Sequence, residues 1–262
     1  MAEALTITSL HNPKIKDLLQ LIEKSKERRA RGLFVVEGLR EVTRALAAGY
    51  PAETVFLCRE ILSEPPAVDP DKVFTVSREV YDRIAYRGGT EGIVAVLRTR
   101  ERTFEDLPLG ERPLILVLES VEKPGNIGAV LRSADAAGVD AVLICDPLTD
   151  LYNPNLIRAS LGALFSVPTL CCTSQEAAAW LKRHDIAILT AQLQDSKLYY
   201  DTDMTRPTAL VMGTEDKGLS PFWREQADAH IRIPMAGAMD SLNVSVSAAI
   251  LCFEAVRQRA AR

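Results

Sequence analysis

Three short segments carry side chains whose types and spacing suit chemistry on a hydroxyl-bearing substrate. In the first, Ile233-Pro234-Met235 leads to Ser241, Asn243, Ser245 and Ser247, crowded at the start of a run in which Val246, Ala249, Ile250, Phe253 and Val256 recur at helical spacing. The spacing predicts a helix with that stripe buried. One such polar residue would be a cap, but several weak helix formers together at a helix start point to a site. Unpaired N–H groups at a helix start favour anionic or hydroxyl-bearing ligands. In the second segment, Glu122-Lys123-Pro124-Gly125-Asn126-Ile127-Gly128, Asn126 suits an N-cap and Gly128 permits close backbone approach. Arg132 falls on a face away from the apolar stripe Ile127, Val130, Leu131 and Ala134, where its planar fork suits a phosphate or ribose contact. The third segment, Met212-Gly213-Thr214-Glu215-Asp216-Lys217-Gly218-Leu219, follows an apolar strand and supplies turn glycines around an acid. A dinucleotide site would need GxGxxG, and the second segment offers only GxxG.

The elements that must hold these loops in place form two blocks. Residues 1–105 read as a basic helix, a strand at Leu33–Val36, a helix over Leu39–Ala48, short strands near Thr54–Cys58 and Val73–Val76, and a closing strand at Ile93–Leu97. The charged stretch from Arg98 to Pro113, with Pro108, Gly110 and Pro113, reads as the connection, with 106–112 as the linker proper. From 113 to 262, apolar strands at Leu114–Glu119, Ala141–Cys145, Ile186–Ala191 and Thr208–Gly213 alternate with amphipathic helices. That pattern predicts an α/β domain with a parallel sheet covered on both faces, which binds ligands at the carboxyl ends of its strands.

Composition narrows the class. The chain has 262 residues, 31 basic and 35 acidic, for a net charge of −4. Indiscriminate coating of nucleic acid is disfavoured by that balance. The charge is unevenly placed, however. From His11 to Arg44, nine basic residues, among them Lys24, Lys26, Arg28 and Arg29, outnumber five acids. This segment is the candidate phosphate-binding surface. No run is apolar for long enough to span a membrane, and the amino terminus lacks a signal-peptide core, so a cytoplasmic protein without membrane partners is expected. Cys58, Cys145, Cys171, Cys172 and Cys252 show no paired spacing and read as reduced thiols in or near the core. His11, His184 and His230 are too scattered to suggest a metal site.

Taken as a set, Asn126-Ile127-Gly128 with Arg132, Gly213-Thr214-Glu215 with Gly218-Leu219, and Ile233-Pro234-Met235 with Ser241-Leu242-Asn243-Val244-Ser245 resemble the SpoU (TrmH-like) branch of the SPOUT methyltransferases. Arg158-Ala159-Ser160-Leu161-Gly162-Ala163-Leu164-Phe165 is similar to the central segment of that branch. Phe34-Val35-Val36-Glu37-Gly38 and Glu91-Gly92-Ile93-Val94-Ala95-Val96 look like the ends of its small L30e-like substrate-binding domain. The resemblance implies a deep carboxy-terminal trefoil knot and a homodimer. It also implies transfer of a methyl group from S-adenosylmethionine to a ribose 2′-hydroxyl in rRNA, with tRNA as the alternative substrate. By position it assigns the cofactor to Gly213, Ile233, Met235 and Leu242, and the chemistry to Asn126, Arg132, Glu215, Ser241 and Asn243. A guanidinium is a poor base. Arg132 is therefore expected to bind phosphate and steer the hydroxyl proton. A catalytically silent RNA-binding or ribosome-assembly factor would lack this polar set.

Overall fold

The structure, a computed structural model, describes residues 6–64, 66–85 and 91–260. In chain order the helices and strands are α1 (Pro13–Glu23), α2 (Ser25–Arg31), β1 (Leu33–Glu37), α3 (Leu39–Ala47), β2 (Ala52–Leu57), β3 (Val73–Thr75), α4 (Arg78–Ile84), β4 (Ile93–Arg98), β5 (Leu114–Glu119), α5 (Pro124–Ala137) and β6 (Ala141–Cys145). They continue with α6 (Pro154–Ser160), α7 (Ala163–Ser166), β7 (Thr169–Cys172), α8 (Ser174–Arg183), β8 (Ala187–Ala191), β9 (Lys197–Leu198), β10 (Thr208–Met212), α9 (Pro221–Gln226), β11 (Ala229–Arg232) and α10 (Val244–Ala260). The chain packs as two compact units, Met1–Glu101 with Tyr152–Phe165, and Arg102–Leu151 with Ser166–Arg262. A single cut in the linker therefore does not separate them, because Tyr152–Phe165 leaves the second half of the sequence to pack with the first.

In the first unit, Asn12 caps α1 by accepting from the Lys14 N–H at 2.9 Å, and Ile15, Leu18 and Leu21 face inward at helical spacing. The sheet order is β1-β4-β2-β3, with β4 antiparallel to both neighbours and β3 parallel to β2. Its core joins Ile15, Leu18 and Leu21 to Phe56, Val80, Tyr81 and Val94. Tyr152 and Phe165 complete an aromatic cluster, Tyr152 stacking on Phe34 at 4.4 Å between ring centroids and Phe165 lying 5.2 Å from Tyr50. One sequence expectation is overturned here. Arg28 is 3% exposed, and its guanidinium donates to the Leu21 and Ile22 carbonyls at 2.7 and 3.0 Å. It satisfies the open carbonyls at the end of α1, and so leaves the phosphate-binding set. Lys24, Lys26 and Arg29 remain exposed.

The second unit is built on seven strands in the order β7-β6-β5-β10-β8-β11-β9, and every pairing is parallel. The near-continuous apolar strands Leu114–Glu119 and Thr208–Met212 are buried throughout, as a sheet covered on both faces requires. Helix α10 packs with α5, but not through the face that the sequence spacing suggested. Its buried residues are Val244, Ala248, Leu251, Cys252, Glu254 and Ala255, whereas Val246 and Phe253 are 45% and 47% exposed. The helix is apolar nearly all round, so periodicity alone marks two stripes and cannot choose between them. The cysteines are free thiols. Cys58, Cys145 and Cys252 are buried as expected, Cys172 is half-buried, and Cys171 is exposed.

Candidate active site

The candidate residues meet at the carboxyl end of the parallel sheet, within the second unit. A cleft of about 320 Å³ lies there. Its lining includes Gly213, Ile233, Met235, Ser241 and Leu242 together with Met212, Ile231 and Leu251. All four residues assigned by sequence to the cofactor thus line one space, contributed by the ends of β10 and β11 and by the approach to α10.

Beside Gly213, Thr214 and Gly218 form an isolated antiparallel bridge that closes the loop on itself. A Cβ at Gly213 would lie 2.2 Å from the Gly218 carbonyl oxygen and 2.6 Å from the Leu219 nitrogen. Only glycine lets these two backbone segments touch. The exit of the loop is held by Glu119 at the end of β5, which accepts from the Ser220 N–H at 2.8 Å and from its hydroxyl at 2.5 Å. Glu119 is 8% exposed. Sequence reading missed this tether, since an acid closing an apolar strand carries no spacing signal.

Glu215 gathers the three sequence segments into one cluster. One carboxylate oxygen accepts from the Lys123 ammonium at 2.7 Å, and the other from the amides of Asn126 at 3.0 Å and Asn243 at 2.5 Å. The Asn243 amide also donates to Asn126 Oδ1 at 3.2 Å. Its own Oδ1 accepts from the N–H and hydroxyl of Ser245, at 3.0 and 2.6 Å, and thereby caps α10. Because a backbone N–H can only donate and a carboxylate can only accept, the two sides of the Asn243 amide are chemically determined. The Lys123 ammonium, aided by the Asn126 amide, holds the Glu215 carboxyl below the usual carboxylate range, and Glu215 in turn raises Lys123. A carboxylate shifted in that direction is an anchor and not a base near neutral pH.

Two sequence candidates stand outside the cluster. Ser241 lines the cleft, and its hydroxyl donates to Asp240 at 3.3 Å. Arg132 is exposed on α5, six residues beyond Asn126, which places it about 240° round the helix. The Arg132 side chain makes no hydrogen bond or ion pair among the described residues.

Comparison with known proteins locates this arrangement. The SpoU rRNA Methylase family matches residues 113–253, which include every residue of the cleft and of the Glu215 cluster. The chain belongs to this family. The MRM3-like substrate binding domain matches residues 12–95 of the first unit. The 23S rRNA (uridine(2479)-2′-O)-methyltransferase of Streptomyces viridochromogenes is 30% identical over 97% of this chain and 92% of its own length. A crystal structure of an RNA 2′-O ribose methyltransferase is 40% identical, with a TM-score of 0.83, covering 98% of this chain and 100% of that one. The SpoU methyltransferase AviRb from Streptomyces viridochromogenes, in complex with AdoMet, is 28% identical with a TM-score of 0.86, covering 96% and 100%.

The cleft fits S-adenosylmethionine, a nucleoside carrying an amino-acid tail. Its walls combine apolar side chains with the backbone of the Gly213 loop, which closes on itself only because Gly213 has no Cβ. They also hold a buried acceptor, Gln192 Oε1, and a buried donor, Arg224 Nε, each without a protein partner among the described residues. A polar ligand would satisfy both. Sequence reading singled out neither residue. Among the described residues no group of acids, histidines or cysteines could hold a metal ion.

Proposed function

We propose that this protein methylates a ribose 2′-hydroxyl of ribosomal RNA, using S-adenosylmethionine bound in the cleft beside Gly213. The observation that carries the reading is the Glu215 cluster at the edge of that cleft, where Lys123 and Asn126 at the start of α5 meet Asn243 from the far end of the sequence. The bound cofactor supplies a methyl group already activated by its sulfonium, so no covalent enzyme intermediate is needed. The backbone around Gly213, Ile233 and Leu242, with Met235, holds the nucleoside. Asn126, Glu215 and Asn243 fix the shape of the loops, Ser241 offers a hydroxyl at the rim, and Arg132 takes the substrate phosphate and orients the 2′-hydroxyl. The first unit supplies RNA affinity through Lys24, Lys26 and Arg29.

Several further parts of this reading follow from the family. The carboxy-terminal segment is threaded as a trefoil knot, and the protein works in the cytoplasm, where ribosomal RNA is found. Two copies pair through the outward apolar stripe of α10 around Val246 and Phe253, and Arg132 of one serves the cleft of the other. No helix among the described residues is long and apolar enough to cross a membrane.

The decisive experiment incubates the protein with methyl-labelled cofactor and total RNA from cells lacking the gene, then maps 2′-O-methyl sites. Label in one ribosomal nucleotide is expected, and label confined to tRNA, or none, overturns the proposal. Arg132→Ala should lower turnover by about 100-fold with S-adenosylhomocysteine affinity unchanged, and Arg132→Lys should restore little of it. Phe253→Arg should shift the dimer to monomer in light scattering, and a wild-type monomer at micromolar concentration would refute the pairing.

A further inference from the structure

Gln192 and Arg224 face the same cleft from different elements, and each holds a polar atom shielded from solvent and unpartnered. Among the described residues only three side-chain atoms share that condition, the third being the Tyr81 hydroxyl in the first unit. Buried polar atoms are almost always satisfied, so two orphans in one ligand cleft mark places where a ligand completes the bonding.

Their chemistry identifies what is missing. The Gln192 amide is fixed in orientation, because its Nε2 donates to the Gln194 carbonyl at 2.9 Å while its backbone N–H donates to the Ile231 carbonyl at 3.0 Å. Nε2 must face an oxygen, so Oε1 is the side left open, and it can only accept. Arg224 sits on α9 next to the fully buried Trp223, just after Ser220, which Glu119 tethers. Its guanidinium makes no ion pair among the described residues. The other charges of the lining are differently placed: Glu215 is paired with Lys123, Arg232 donates to the Ser196 carbonyl, and Asp216, Lys217 and Asp240 are exposed. Arg224 is therefore the half-buried cation of the lining whose side chain has neither an anion nor a hydrogen-bond acceptor among the described residues.

Resting on the functional reading above, we propose that Arg224 and Gln192 bind the amino-acid end of the methyl donor, Arg224 taking its α-carboxylate and Gln192 Oε1 its α-ammonium. The carboxylate is the single anionic group of that cofactor, and a guanidinium is its planar complement. The ammonium has donors and no acceptor, which matches an open amide oxygen. The adenine and ribose are uncharged and leave a buried cation unneutralised. The pair thus selects cofactors that keep an intact zwitterionic tail.

Calorimetric titration of the full-length protein with three probes tests this. The probes are S-adenosylhomocysteine, its decarboxylated analogue, which keeps the amine, and 5′-methylthioadenosine, which lacks the tail. Arg224→Ala should weaken S-adenosylhomocysteine by about tenfold or more and leave the other two within about twofold. Gln192→Leu should weaken both amine-bearing probes by about threefold or more and spare 5′-methylthioadenosine. Equal losses for all three probes would mean a structural role, and no loss would mean no contact; either result overturns the proposal. The thermal midpoint of each variant guards against misfolding. If the wild-type protein binds none of the three, the functional reading itself fails, a result distinct from an Arg224 variant that binds all three normally.

Discussion

At one side of the cleft Glu215 receives Lys123, Asn126 and Asn243, and Asn243 in turn caps α10. Elsewhere in the same lining, Gln192 Oε1 and Arg224 Nε are shielded and unpartnered. The contrast separates scaffold from contact. The Glu215 side has its bonds before any ligand arrives and acts by holding loops in register, whereas the Gln192 and Arg224 side is completed by what binds. Residues on the first side should affect all ligands alike, and residues on the second should discriminate among them.

The strongest challenge to this contrast is Gly213→Ala. Its Cβ would meet the Gly218 carbonyl at 2.2 Å, so the loop must open and both sides lose their geometry together. S-adenosylhomocysteine affinity should fall by about 10- to 100-fold in calorimetry, while Gly125→Ala, whose Cβ meets nothing within 4 Å, should bind normally. Equal affinities would show that the loop is not closed on itself. Next comes Glu215→Ala, which removes the common acceptor. Affinity for all adenosine ligands should fall by about five- to tenfold, moderated because water can reach the freed amides. A loss confined to ligands with an amino-acid tail would erase the distinction between the two sides. Lys123→Ala should cost about twofold or less, since its side chain is 71% exposed and exposed ion pairs contribute little.

The smallest expected effect is that of pH. The Glu215 carboxyl is lowered, so its contribution is complete above the unfolded value of about 4.3 and is lost as pH falls through the still lower folded value. Lys123 is raised, so its contribution is complete below about 10.4 and is lost only as pH climbs through its higher folded value. Affinity should therefore change by less than about twofold between pH 5.5 and 8.5. A break near pH 6.5 would place a different titrating group in the cluster.

The site was legible in the sequence where chemistry and local spacing coincide. Glu215 and Asn243 lie in strand-to-helix connections, while Asn126 lies in the first turn of α5 and not at its N-cap, which is Lys123; the structure brings the three within hydrogen-bond distance of one another. Gly213, Ile233, Met235 and Leu242 share the cleft as expected. The role of Gly213 was only half visible, for its missing Cβ admits the backbone of its own loop, and that approach depends on where Gly218 returns. Gln192 and Arg224 gave no signal, because an isolated amide and a helix arginine are ordinary until burial shows that they lack partners. Arg28 illustrates the reverse. It sits in a basic run beside the exposed Arg29, and only the corner between α1 and α2 turns it inward. The α/β alternation and parallel sheet of the second unit were readable from apolar runs, but the two-residue strand β9 was too short to show a pattern.

The excursion of Tyr152–Phe165 bears on how the chain is made. Phe34 and Tyr50 gain their ring neighbours Tyr152 and Phe165 more than 100 positions later in the sequence. At a synthesis rate of about 5–20 residues per second, the 64 residues between Glu101 and Phe165 delay those partners by roughly 3–13 s after the first unit's own last strand has been made. During that interval an aromatic surface that is buried in the finished protein waits uncovered at the ribosome. The amino-terminal half is translated first, yet its aromatic core closes only after Arg102–Leu151, the opening segment of the second unit, has been translated.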